Sequence, residues 1–283
     1  MDAPMILGLV GSPNHEGRTY RLVLAALEAG AEAGACTELV QMADHVVGAC
    51  RDCLPWACRT NLRCTYEDPA FDYLREKILN CDGLVLGTPV YWWDTSAMVR
   101  YLFLKMFRVY ASSAPTRGLP ALGITVAGGG GNGLISALRP IYHFFQMMQM
   151  RAIEPVPASR FNFDAALLRA RVQGARLASL AQQRHPFARA DERYLPLDSP
   201  SFVAGLEERL LWYDSLPYLG QSRREERRLV VQMAVQALGN TAPPDLAQGL
   251  LAADLAAAEG RHLEAMWETT RVYEVAVRLL GRS

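Results

Sequence analysis

The chain has almost no lysine: Lys77 and Lys105 stand alone among 283 residues, and arginine supplies the other basic side chains. We read that skew as genome composition and not as function. Net charge is also missing. The 29 basic and 29 acidic side chains cancel, so no global field draws in nucleic acid or an anionic membrane. Long apolar runs are absent too. Each apolar stretch is broken by Gly, Pro or charge, well short of the roughly 18 residues that a membrane span needs. Asp2 and Pro4 precede the short run Met5-Ile6-Leu7-Gly8-Leu9-Val10, with no basic segment before it. That run reads as a strand and not as a signal peptide. There is no internal repeat. These absences predict a soluble, cytoplasmic protein with no nucleic-acid and no membrane partner.

What is present is a globular composition, with 51% hydrophobic and 20% charged residues, which excludes general disorder. At about 150 residues per domain, the length gives one large domain, or one ordinary domain with an extension. Residues 5–10 and 36–40 read as strands, with a helix from Thr19 to about Ala33 between them. Asp68-Pro69 offers a cap and a first-turn proline for a helix running to Asn80. A buried strand at 83–87, a helix at 96–110, a strand at 120–127 and a helix at 134–150 follow. A strand at 152–156 and a helix at 164–183 complete the series.

Alternation of this kind predicts an α/β fold: a five-stranded parallel sheet, order 2-1-3-4-5, flavodoxin-like, with helices on both faces. The expected domain boundary puts 1–189 in that fold and 190–283 in a helical C-terminal extension. There, segments 202–215, 223–238 and 245–280 are helical by pattern, with a capping box at Ser222–Glu225. The run Arg223–Arg228, four arginines around two glutamates, reads as a solvated helix face.

Three loops fall where such a sheet binds ligands, at the carboxyl ends of its strands. The first is Gly11-Ser12-Pro13-Asn14-His15-Glu16-Gly17-Arg18-Thr19. A Gly- and hydroxyl-rich turn opening a helix is either an anion site or an ordinary capped turn. It has neither the Walker ending nor the dinucleotide GxGxxG. The second runs from Gly87 through Thr88-Pro89-Val90-Tyr91-Trp92-Trp93-Asp94 to Ser96, and its aromatics suit a flat heteroaromatic ring or the cover of an interface. The third, Gly128-Gly129-Gly130-Gly131-Asn132-Gly133, is a flexible turn or a place where backbone approaches a ligand closely.

Cys50, Cys53, Cys58 and Cys64 lie within fifteen residues. In a reducing compartment such a cluster points first to a metal site. Cys36 and Cys81 border strands and read as small buried core residues.

Taken in order on these elements, the motifs resemble the flavodoxin-like NAD(P)H-dependent FMN reductases over residues 5–160, and within them the iron-sulfur flavoproteins. The family's phosphate loop, Gly-Ser-Pro-Arg-x-x-Gly-Asn-Thr, has Asn14 in place of Arg and Arg18 in place of Asn. Its isoalloxazine loop, Thr-Pro-Val-Tyr-Trp-Gly-Ser, has Trp93 in place of Gly. Leu104 stands where the family often has Asp.

The resemblance implies FMN held by Ser12, Asn14, Gly17, Arg18 and Thr19 at its phosphate. Pro89, Val90, Tyr91, Trp92, Trp93 and Asp94, with Gly128, Gly129 and Gly130, are implied at its ring. It also implies a [4Fe–4S] cluster on Cys50, Cys53, Cys58 and Cys64. Their spacing, x2, x4 and x5, is two residues longer than the usual motif between the second and third cysteines. Zinc, or no metal, stays open beside that reading.

The expected function is therefore an FMN redox enzyme that passes electrons between a ferredoxin-like carrier and a small-molecule acceptor through the cluster. Its alternatives are a cluster-free NAD(P)H-dependent FMN, quinone or azo reductase, and a flavin-binding carrier or sensor. No catalytic acid, base or nucleophile is expected, because the flavin carries the chemistry. A homo-oligomer, dimer or tetramer, is expected from the exposed aromatics Trp92 and Trp93.

Overall fold

Five of the six residues of the first strand, β1 (Met5–Val10), are buried, and every residue of β3 (Gly83–Pro89) and β4 (Pro120–Val126) is buried. Such unbroken burial, with no alternation, is what parallel strands covered on both faces require. The computed structural model describes residues 3–53, 57–128, 133–188 and 217–280. The expectations for Gly129 and Gly130 and for the helix at 202–215 lie outside the described residues.

After β1 come α1 (Arg18–Glu32), β2 (Cys36–Gln41), a single 3-10 turn (Met42–Asp44), α2 (Ala57–Asn61) and α3 (Pro69–Asn80). Then follow β3, α4 (Ala97–Tyr110), β4, α5 (Leu134–Met147), β5 (Arg151–Ala152), β6 (Val156–Ala158) and α6 (Phe163–Ala181). The sheet order is β2-β1-β3-β4-β5, all parallel, with β6 also pairing β4. The flavodoxin-like order is as expected; the strand count is not. The predicted fifth strand is split, because Pro155 has no N–H to donate to β4.

Register assigns the faces. A Cβ at Gly87 would strike Val23 of α1, and one at Gly83 would meet Leu177 and Ala181 of α6. Gly123 pairs with Leu86, one residue away from Gly87, so it points to the other face. There a Cβ would strike Tyr142 of α5. Thus α1 and α6 cover one face. Gly174 of α6 sits so close to the Ala26 backbone that a Cβ would lie 2.0 Å from its carbonyl oxygen. On the opposite face α4 and α5 meet through Phe103 and Phe144, stacked at 4.3 Å with 13° between the rings.

One sequence expectation fails locally. Cys36 is exposed, because it opens the edge strand β2. Cys81 is buried as expected, and burial pushes its thiol up to about 12.

The chain divides into two compact units. The second contains α7 (Pro217–Leu238), α8 (Pro244–Ala258) and α9 (His262–Leu280). Its core is Val231, Ala234, Leu246, Leu250, Val272 and Ala276. The helix predicted over 245–280 is broken at Gly260, whose φ of +76° is a left-handed turn. Ser222 lies inside α7, past its start at Pro217, so it is not the N-cap. Nor is the arginine run merely solvated. Arg224 and Arg228 both reach Asp254 of α8, at 2.7 and 3.1 Å, and Arg227 donates to Thr270 of α9.

Candidate flavin site and cysteine segment

Val10 is level with Gln41 of β2 and with Gly87 of β3, while Pro89 is level with Val126 of β4. The loops that leave these strands therefore start from one edge of the sheet. Gly11 N–H donates to the Gly87 carbonyl at 2.7 Å, Val90 N–H to Val126 at 2.8 Å, and the Gln41 side-chain amide to the Ser12 carbonyl. A Cβ at Gly11 would lie 2.2 Å from Val99, so only glycine lets the first loop pass beneath α4.

Within that loop, Ser12 is buried and its Oγ accepts from Asn14 N–H at 3.2 Å. Asn14 Oδ1 accepts from Glu16 N–H at 3.1 Å, an Asx turn that shapes the loop. His15 Nε2 is 2.9 Å from Asp44 Oδ1. Gly17 is the N-cap of α1 and makes no side-chain hydrogen bond there, its own N–H donating to the Asn14 carbonyl at 3.4 Å, and the positive end of the helix dipole lies at the ligand edge. Arg18 is the first helical residue and is exposed, whereas Thr19 is buried with its methyl against Gly87. A helix start without a side-chain cap, beside an arginine on the ligand-binding edge, fits the phosphate of FMN.

The second loop is a two-residue hairpin. Tyr91 and Asp94 exchange both backbone hydrogen bonds, at 2.8 and 3.0 Å. Between them Trp92 and Trp93 both have positive φ, +49° and +58°. That is a type I′ turn, which normally takes Asn-Gly, built here from two tryptophans. Each left-handed tryptophan stores of the order of 1 kcal/mol or more of strain. Their rings meet edge to face at 5.5 Å, and Trp92 is 89% exposed. Asp94 Oδ1 accepts from Thr95 N–H at 2.7 Å, and Arg100 Nε donates to Asp94 Oδ2 at 3.1 Å. Asp94 is thus committed to holding the turn.

Of the third loop, Gly128 is exposed, and an added Cβ there would meet nothing within 4 Å. The glycine that the fold demands is Gly133, at φ +83°, where a Cβ would lie 2.6 Å from Val90 and 3.1 Å from the Trp93 backbone. It presses the start of α5 against the tryptophan turn. Ser96 is a further residue that sequence reasoning missed. Its Oγ is buried with no hydrogen-bond partner, at the junction of the first two loops. A serine directly before a helical run was the available signal.

The cysteine segment goes elsewhere. Asp68 caps α3 through Phe71 N–H at 3.0 Å and receives Gly48 N–H at 2.9 Å and the Lys105 ammonium. Burial pushes the Asp68 carboxyl up, but Lys105 and the two amides outweigh it and hold the group below its usual range. Further on, Asp52 pairs with Arg108, and the Leu62 carbonyl accepts from Arg75 and Tyr110, each at 3.3 Å. Cys58, on α2, is buried with its sulfur 3.8 Å from the Arg108 carbonyl.

All these anchors lie on α3 and the far half of α4. Because α4 is the crossover between parallel β3 and β4, it runs back from the ligand edge, and about 18 Å of helix axis separates Ser96 from Arg108. The cysteine segment is therefore anchored along α3 and the far half of α4.

Cys50, Cys53 and Cys64 are half-buried. Burial pushes the Cys58 thiol up, Cys53 pushes it further, and Cys64 and Cys50 add to this. Each of the other three thiols is thus within electrostatic reach of Cys58. They are not closed into a ligand cage: among the described residues, no group of three or more His, Cys, Asp or Glu could hold a metal ion. The donor set itself, four thiols with the one intervening carboxylate, Asp52, paired to Arg108, suits iron or zinc. Among the described residues, no helix is long and apolar enough to cross a membrane.

Comparison with known proteins bears on both regions. The family pattern of the NADPH-dependent FMN reductases matches residues 4–159. An iron-sulfur flavoprotein of Methanocaldococcus jannaschii is 30% identical over 145 residues, 51% of this chain and 73% of that one. Among solved structures, a flavone reductase superposes with a TM-score of 0.51 at 16% identity, over 65% of this chain and 66% of its own. An NAD(P)H:quinone oxidoreductase from Methanothermobacter marburgensis gives 0.50 at 17% identity, over 62% and 99%. At those identities the likeness is one of fold.

Proposed function

The chain belongs to the NADPH-dependent FMN reductase family, and from that premise we propose that it is an FMN-dependent oxidoreductase fed by NAD(P)H and discharging to a small-molecule acceptor. The observation that carries this reading is the start of α1 on the sheet's ligand edge, without a side-chain cap and beside Ser12, Arg18 and Thr19. Bound there, FMN supplies the electron-accepting and electron-donating chemistry that no side chain of this site supplies. The chain's own residues bind and orient. Backbone donors of the α1 first turn and the Arg18 guanidinium neutralise phosphate. Tyr91, Trp92 and Trp93 offer aromatic surface to one edge of a flat ring. The Asn14 and Asp94 side chains hold the loops in shape. The test is reconstitution: the purified chain should bind one FMN and oxidise NADPH in step with reduction of a quinone, with no protein carrier added. Absence of flavin affinity ends the reading.

A second reading has its own support. The influence of Cys50, Cys53 and Cys64 on the buried Cys58 thiol, and the likeness to an iron-sulfur flavoprotein, favour a [4Fe–4S] cluster that takes single electrons from a ferredoxin-like carrier. Iron and sulfide assays on anaerobically purified protein decide it. About four irons per chain establish the cluster; one zinc, or none, leaves the cysteines structural. A homo-oligomer is also proposed, because Trp92 leaves nearly its whole indole in water in the single chain.

A further inference from the structure

Gln41 ends β2, level with Val10 of β1. Val10 lies two residues past Gly8, where an added Cβ would strike Val23 and Leu27 of α1, so this register puts Gln41 on the α1 face of the sheet. Its side chain stands beneath the loop that leads into α1. It is 7% exposed, and its Nε2 donates to the Ser12 carbonyl. The other half of the amide is left over: Oε1 is buried and, among the described residues, has no hydrogen-bond partner. We propose that Gln41 is a positioning residue for the first loop, its amide holding the Ser12 carbonyl away from the phosphate of FMN.

The physical case rests on three features. Position 41 is buried, as are Val40 and Met42 beside it, and an apolar side chain there would carry no polar cost. A glutamine with half its amide unsatisfied is a poor core residue. What it supplies that Leu or Met cannot is a donor aimed at Ser12. Next, a carbonyl oxygen carries partial negative charge. Turned toward the start of α1 it would oppose an anion; drawn toward β2 it leaves N–H groups and the helix dipole to face one. Finally, the chain just past β2 grips the same loop again, where Asp44 Oδ1 lies 2.9 Å from His15 Nε2. That second contact is exposed, so the buried hold is the one at Ser12.

This role rests on the FMN reading of the loop and deepens it. Gln41 would touch no flavin atom and would act only through Ser12.

The experiment titrates the full chain and two variants with FMN and with riboflavin, read by flavin fluorescence. Gln41→Met keeps the length and removes the donor. FMN should weaken about tenfold, a difference near 1.4 kcal/mol, while riboflavin, with no phosphate to meet the freed carbonyl, changes little. Without flavin, the thermal midpoint of this variant should hold, because the unsatisfied oxygen leaves together with the donor. Gln41→Glu keeps the shape and turns the donor into an acceptor. Its FMN affinity should be lowest at about pH 8 and should recover, relative to the parent at the same pH, as the acid gains a proton toward about pH 5. Such recovery also shows that the variant folds. Equal weakening of the two flavins with a lowered thermal midpoint would make Gln41 a core residue alone and overturn the proposal. So would FMN affinity matching the parent in both variants, or a Gln41→Glu loss that ignores pH. In those cases the parent still binds FMN and the flavin reading stands. A parent that binds no flavin ends that reading and the role of Gln41 with it.

Discussion

Asp68 and Lys105 form a buried ion pair between the start of α3 and the middle of α4, with side chains 10% and 6% exposed. The same carboxylate caps α3 and holds Gly48 at the head of the cysteine segment. One of the two lysines in the sequence is thus spent on an interior contact. Removing either partner leaves the other charge buried and alone, which costs about 3 kcal/mol or more.

Asp68→Asn should therefore lower unfolding stability by roughly 3 kcal/mol, read by urea denaturation at neutral pH. The pH dependence has a defined sign. The folded carboxyl sits below its ordinary value, so the unfolded state binds the proton first as pH falls. The pair's contribution is complete above the ordinary carboxylate range and drains away as pH drops through the lower, folded value. The variant should lose that acid-side slope. A variant as stable as the parent, with the same slope, would mean the pair is inert.

Arg18→Gln should weaken FMN far more than riboflavin, which lacks the phosphate. About tenfold is the expected loss for FMN, equal to one charge-assisted hydrogen bond. Fluorescence titration with both flavins checks it. Equal weakening of the two would take Arg18 away from the phosphate.

Trp92→Gly tests the left-handed turn. With φ at +49° and the indole 89% exposed, glycine gives up little burial and relieves strain, so monomer stability should rise by about 0.5–1 kcal/mol. Self-association should weaken in the same variant if Trp92 lies in a subunit interface. Thermal unfolding at low concentration and sedimentation at high concentration separate the two effects.

Thiol reactivity distinguishes the six cysteines. Cys81, buried with its thiol pushed up to about 12, should resist iodoacetamide in the folded protein at pH 8, and exposed Cys36 should react first. Cys58 should be slow, since burial and its neighbours raise its thiol. In anaerobically purified protein, protection of Cys50, Cys53 and Cys64 as well would support a bound cluster. Rapid labelling of those three would refute it.

Much of this protein was legible in one dimension. Continuous apolar runs at 83–89 and 120–126, an Asp-Pro before a helix and Gly-rich turns after strands are local signals. They follow from backbone hydrogen bonding and side-chain burial within a few residues. From them came the parallel sheet, its order, the three loops at one edge and the family likeness. Other facts depend on what lies across space. Pro155 divides a strand only because β4 needs a donor there. Cys36 is exposed because β2 is an edge. The tryptophan turn is left-handed because Tyr91 and Asp94 pair across two residues, a geometry that overrides the preference of Trp itself. The cysteine segment is held along α4, because Asp68–Lys105 and Asp52–Arg108 join residues 37 and 56 positions apart. Composition and spacing put chemistry into the chain. Only long-range charge pairing and packing decided where that chemistry sits.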